Sequence, residues 1–221
     1  MQIAARTAAW AKAGGGNLPY DYAIEYMQIL CENVLGKKAI FDTLIKPSVG
    51  IKIMAELSFL QGTAYQCAIG CIKNSSTYRM QPVMISTDRF VSCAFGGNTY
   101  NSLAYVDFDK HIITTTIDSY SQTTELDGNV VLNCDENLSS IPSNIVNFHI
   151  GARKWDGYTQ IDIPFKGNVY SVEFSLNGIL LSKLIPCVKD GDICFYDSVR
   201  DIFIRRALDV SNGVINAGPR V

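Results

Sequence analysis

The chain has 221 residues, a formal net charge of −2, and 48% hydrophobic against 18% charged residues. That length suits one β-rich domain with a sizeable core. A near-neutral balance argues against a nucleic-acid partner, which would call for a basic face, and no apolar run approaches the roughly 20 residues of a membrane-spanning helix.

The first segment, MQIAARTAAWAKAGGG, is alanine-rich and ends in three glycines. It reads as a short helical arm. A helix over residues 2–13 would be about 18 Å long, at or below the length at which an isolated helix persists in water. Ile3, Thr7 and Trp10 would share one stripe flanked by alanines. The expectation is an anchoring arm and linker over 1–19 that orders by burying this stripe against another chain, with Trp10 as the large anchor. Arg6 and Lys12 lie inside the segment, which makes it a poor secretory signal and points to assembly in the cytoplasm.

After Tyr20 the chain consists of short runs rich in Val, Ile, Thr, Tyr and Phe. IKIMAELSFL (51–60), RFVSCAFG (89–96), LAYVDFD (103–109) and HIITTTIDSY (111–120) read as strands. ELDGNVVLN (125–133) is a hairpin turning at Asp127-Gly128, and NIVNFHIGAR (144–153) is a further strand. GNVYSVEFSLNGILLSKLIP (167–186) turns at Asn177-Gly178, the dipeptide best suited to a type I′ turn because both central positions need positive φ. Tyr170, Val172, Phe174 and Leu176 alternate with Ser171, Glu173 and Ser175, so the first four are predicted to face the core. Strands this short, with no helical segments between them, predict a two-sheet sandwich or barrel. The seven cysteines sit mostly in apolar stretches and read as reduced, buried small side chains.

Catalysis finds little support in the spacing. A sandwich glycosidase needs two carboxylates on one face of a strand, set for acid and nucleophile roles. Asp107 and Asp109 share a face, but Lys110 and His111 follow rather than a third acid; Glu125 and Asp127 share a face but run straight into a turn, so these acids read as solvent-facing residues or turn formers. His111 and His149 have no nucleophile elbow beside them. The oxygen-rich run from Asp127 to Asn137 reads as turn chemistry, so no metal or cofactor is expected. Trp155 and Tyr158 in KWDGYTQ, with Tyr100 in GGNTYN, stand in polar loop-like stretches. They are the glycan-binding candidates, against the alternative that they pack on the sandwich or in a subunit contact.

The segments FKGNVYSVEFSLNGILLSKLIPC, DGDICFYDSVRDIFIRRA and INAGP resemble the last strands of the concanavalin A-like (LamG-type) jelly rolls of gut bacteria and their phages. The resemblance rests on Gly167, Tyr170, Asn177-Gly178, Ile185-Pro186-Cys187, Tyr196-Asp197 and Ala217-Gly218-Pro219. IEYMQ (24–28) and AIFDTLIKP (39–47) are similar to the opening of the same family, whereas ILCENVLGKKA (29–39) and DIFIRRA (201–207) depart from its pattern. The resemblance implies an all-β, two-sheet antiparallel jelly-roll sandwich over 20–221; the helical arm read from the alanine-rich start would precede it. It also implies phages as one natural home for the domain; with the arm and the missing carboxylate pair, the expectation is a non-enzymatic bacteriophage virion protein, a head fibre or capsid decoration held by its arm to other virion proteins, with a tail or baseplate position close behind. Such a protein would be a homo-oligomer, a trimer by preference, assembled in the host cytoplasm, with a jelly roll facing host surface glycans. The alternatives are a carbohydrate-binding adhesin module and a glycoside hydrolase. Neither a nucleic acid nor a membrane is an expected partner.

Overall fold

The computed structural model describes residues 18–31, 39–60, 65–73, 78–96, 98–119, 121–135, 145–155, 161–207 and 213–221. The strands are β1 (Tyr22–Ala23), β2 (Met27–Leu30), β3 (Phe41–Asp42), β4 (Ile51–Phe59), β5 (Gln66–Lys73), β6 (Tyr78–Ile85) and β7 (Phe90–Gly96). Then come β8 (Asn98–Tyr105), β9 (His111–Ile117), β10 (Ser121–Leu126), β11 (Asn129–Asp135), β12 (His149–Ile150), β13 (Arg153–Trp155) and β14 (Ile161–Asp162). The last are β15 (Lys166–Leu176), β16 (Ile179–Lys189), β17 (Asp192–Asp197), β18 (Ile202–Ile204) and β19 (Val214–Ala217).

These strands form two sheets. The larger runs β11-β10-β9-β4-β15-β16-β17-β18, with β1, β2 and β19 joined at its side. The smaller runs β14-β13-β5-β6-β7-β8, with β12 and β3 attached. Pairing is antiparallel except where the three-residue β13 lies parallel to β5. The sandwich is therefore all-β with two antiparallel sheets, consistent with a jelly roll. The arm of residues 1–17 lies outside the described residues.

Phenylalanines from both sheets fill the space between them. Phe41, Phe59, Phe148, Phe165, Phe174 and Phe195 are fully buried. Phe41 meets Phe195 edge-on at 5.1 Å, Phe59 meets Phe165 edge-on at 5.4 Å, and Phe148 stacks on Phe174 at 5.9 Å. Each ring contributes about 1.5–3 kcal/mol by leaving water, with further gain from the ring geometry. Both hairpin turns form as read: Asn177 and Gly178 have φ of 49° and 82°, and Asp127 and Gly128 have 51° and 83°.

One face assignment is corrected. Val172 and Phe174 point into the core, but Tyr170 does not. The register of β15 against β4 shifts between Val169 and Ser171. The extra residue of this bulge reverses the alternation, so Val169 rather than Tyr170 continues the inward row. Tyr170 instead packs edge-on against Tyr26 at 5.3 Å, with the Lys110 ammonium 4.9 Å from its ring centre. Leu176 packs against the core only partly, at the hairpin end of the strand.

Candidate functional site

The sequence candidates do not converge. Tyr100 lies on β8 with its side chain half-buried against the core, and its carbonyl accepts the Ser92 hydroxyl at 2.9 Å. The backbone of Trp155 pairs with Ile72 at the end of β13. The order of the small sheet sets β13 and β8 four strand steps apart, about 19 Å at the usual strand spacing. The Trp155 side chain and all of Tyr158 lie outside the described residues, as do Ile3, Thr7 and Trp10.

A different aromatic cluster stands at the edge of the same sheet. Successive residues of β8 alternate faces, so Tyr100, Ser102 and Ala104 turn inward while Leu103 and Tyr105 turn outward. Leu103 is 93% exposed and Tyr105 53%. Beyond the end of β8, Phe108 is also 53% exposed. Phe90 supports Tyr105 edge-on at 6.1 Å.

Arg89 holds this edge in place. It occupies the turn before β7 with φ of 63°, a left-handed conformation that is unusual for a residue with a side chain. Its carbonyl accepts the Val106 amide at 2.8 Å, and its Nε donates to the Val106 carbonyl at 2.7 Å. Its Nη2 donates to the carbonyls of Asp107 and Phe59. The guanidinium lies 3.9 Å from the centre of the Phe108 ring and 6.0 Å from that of Tyr105. Charge, stacking and three carbonyls thus fix the segment 106–108, and with it the exposed ring of Phe108.

A histidine clasp borders the aromatics. His111, at the start of β9, places Nε2 2.9 Å from Asp107 and Nδ1 2.7 Å from Asp127. Asp127 also accepts the Ile112 amide at 2.8 Å, and Asp107 accepts the Asp109 amide at 2.8 Å. The segment 106–110 is a loop rather than a continuation of the strand, so Asp107 and Asp109 do not form a strand-face pair. Both imidazole nitrogens face carboxylates, which accept but do not donate. Only the doubly protonated ring satisfies both. Burial alone would lower the His111 pKa, but hydrogen bonds and charge from Asp127 and Asp107 more than offset it and leave it raised. The amide of Asp109 and the His111 ring hold the Asp107 carboxyl below its usual value. Among the described residues, no group of three or more His, Cys, Asp and Glu side chains is placed to hold a metal ion.

The clasp has a pH signature. A histidine with a raised folded-state pKa contributes stability that is complete below its unfolded value, near 6.5, and is lost as pH rises through the folded value. His111→Gln should therefore lower Tm by a few degrees at pH 5.5 and much less at pH 9. Thermal melts across that range check it, and a gap independent of pH would remove the imidazolium from the account.

No protein-family model matches the chain, and no curated protein matches it. Solved structures do. A proposed carbohydrate-binding protein from Bacteroides ovatus superposes with a TM-score of 0.58 at 12% identity over 90% of this chain, and the chain spans 62% of that protein. The CBM40 of the Ruminococcus gnavus IT-sialidase superposes with a TM-score of 0.52 at 13% identity, over 72% of this chain and 95% of that one. At these identities the likeness establishes the sandwich fold.

Proposed function

We propose that the chain is a non-enzymatic glycan-binding jelly-roll module whose site is the β8 edge. The observation that carries this reading is the pair of exposed rings, Tyr105 and Phe108, set beside the Asp107 and Asp127 carboxylates. Sugars present apolar C–H faces and rings of hydroxyls. Flat aromatics take the first and carboxylate oxygens accept from the second. The platform is rigid in advance, because Arg89 and His111 fix the loop that bears it, and a preformed site loses less entropy on binding. The carbohydrate-related names of the two fold neighbours favour the same class.

Hydrolysis fits the cluster less well. A glycosidase acid needs a raised pKa, whereas Asp107 is held down and both carboxylates are engaged by one imidazole.

The finer placement is on a bacteriophage virion, as a head fibre or decoration protein in a trimer whose 1–19 arm docks on other virion proteins. It rests on the family resemblance of the C-terminal segments and on the stripe of Ile3, Thr7 and Trp10. Particle incorporation with and without the arm separates this placement from a free-standing adhesin module.

A panel of immobilised glycans tests the binding itself. Tyr105→Ala and Phe108→Ala should each weaken binding by about tenfold or more, in line with the loss of one stacking anchor, while Tm stays within about 2 °C because both rings are half in water. Wild-type binding that both variants retain in full would move the site elsewhere.

A further inference from the structure

We propose that Cys93 and Cys134 form a redox-controlled disulfide that staples the two sheets together at the open edge of the sandwich. Their sulfurs are 3.0 Å apart, and both side chains are fully buried. That is about 1 Å beyond an S–S bond, so a small rotation of either side chain closes it. The two residues come from different sheets, Cys93 from β7 and Cys134 from β11, and are 41 positions apart in the chain. A bond between them therefore closes a long loop and constrains the unfolded chain.

The position gives the bond a purpose. β11 ends the larger sheet and, among the described residues, has only β10 as a ladder partner. Cys134 is its one fully buried side chain, with exposed Asn133 and Asp135 on either side. Val131 and Leu132 pack only partly against the core, so Cys134 is the deepest anchor of this edge strand, and a covalent link there would prevent it from peeling away. The second thiol pair offers no such gain. Cys187 and Cys194 face each other at 3.6 Å across the β16–β17 ladder, where backbone hydrogen bonds already join the strands.

The chemistry balances with a small-molecule disulfide as oxidant. One cysteine thiolate attacks that disulfide, releasing one thiol and forming a mixed disulfide. The second cysteine then displaces the other half as a thiol. Two electrons and two protons leave the protein, and one protein S–S bond is made. The hydrogen bond to Cys134 and burial push the Cys93 thiol well up, so attack waits on opening of the β11 edge. Reaction is then slow in the folded protein and faster under conditions that fray that edge.

The full-length protein should be incubated with oxidised glutathione and then examined by thiol titration, intact mass, peptide mapping and thermal melting. The expected product has lost two of its seven thiols and about 2 Da of mass. Its map links the Cys93 and Cys134 peptides. Its Tm rises by on the order of 5–10 °C and returns on reduction with dithiothreitol. Cys134→Ala should abolish the shift. The wild-type map decides the matter even if that variant folds poorly. Retention of all seven thiols, a stable glutathione adduct, or a link confined to Cys187 and Cys194 would overturn the proposal.

Discussion

Asp197→Ala should destabilise the protein by about 3–5 kcal/mol, the cost of removing one partner from a buried ion pair. Asp197 is completely buried at the end of β17. Its Oδ2 accepts the Ser182 hydroxyl at 2.5 Å and Arg200 Nε at 2.6 Å. Its Oδ1 accepts the amides of Val199, Arg200 and Lys183 at 3.0, 3.1 and 3.3 Å. Arg200 in turn donates to the Thr43 carbonyl at 2.7 Å, which ties the β17–β18 turn to the far side of the sandwich. Alanine would leave the Arg200 Nε–H, a hydroxyl and three amides without this acceptor. Burial alone would raise the Asp197 pKa, but these donors outweigh it and hold the carboxyl below its ordinary value. Its contribution is thus present above the unfolded value, near 3.9, and is lost as pH falls through the folded one. Urea unfolding of wild type and variant at pH 7 and pH 3 measures both effects, and a variant as stable as wild type at pH 7 would refute the hub.

Gly167→Ala should be comparably damaging, at about 3 kcal/mol or more, through overpacking rather than lost bonds. A Cβ built on Gly167 would lie 2.1 Å from the Ser58 carbonyl oxygen and 2.3 Å from the Phe165 ring. Gly167 sits where β15 is paired on both sides, with β4 and β2, so neither neighbouring backbone can retreat without breaking a ladder. Thermal unfolding of the variant checks this, and an unchanged Tm would mean that the β4–β15 register is not as described.

These two residues also explain what the resemblance in the sequence conveyed. Gly167 is a contact between strands, Asn177-Gly178 is a turn with two positive φ values, and Tyr196-Asp197 ends a strand on a buried carboxylate. Gly218 lies where a Cβ would press on the Tyr26 carbonyl at 2.8 Å. Every one of these motif positions builds the sandwich, so the motifs carried the fold and were silent on the site.

Elsewhere the sequence misled for physical reasons. β5 and β6 show no alternation because both of their faces are buried, Ile69 and Val83 in the main core and Cys67 and Met84 in a smaller cluster, and Pro82 in β6 looks like a strand breaker. The ladder with β7 shifts register between Gln81 and Met84, which accommodates the missing N–H, and the Pro82 carbonyl accepts the Thr115 hydroxyl at 2.7 Å. The period-two pattern puts Tyr170 on the inner face, because the bulge between Val169 and Ser171 leaves no mark in it. The site was harder still to see. His111 and Asp127 are 16 positions apart and meet only because β9 and β10 form a hairpin. Arg89 reaches Phe108 only through its left-handed turn. The polar stretch around Tyr100 points to that residue rather than to Tyr105, although the same strand carries both, because the sequence does not say which face of β8 is outward.

Amide chemical-shift mapping during titration with a glycan that the panel identifies tests the proposed site most directly. If the β8 edge is the binding surface, the perturbed amides will cluster at residues 89–90, 103–111 and 127–128, and Phe108→Ala will erase the pattern while the rest of the spectrum is unchanged. Perturbations confined to the outer face of the large sheet around Tyr26 and Tyr170, or none with any glycan, would contradict it.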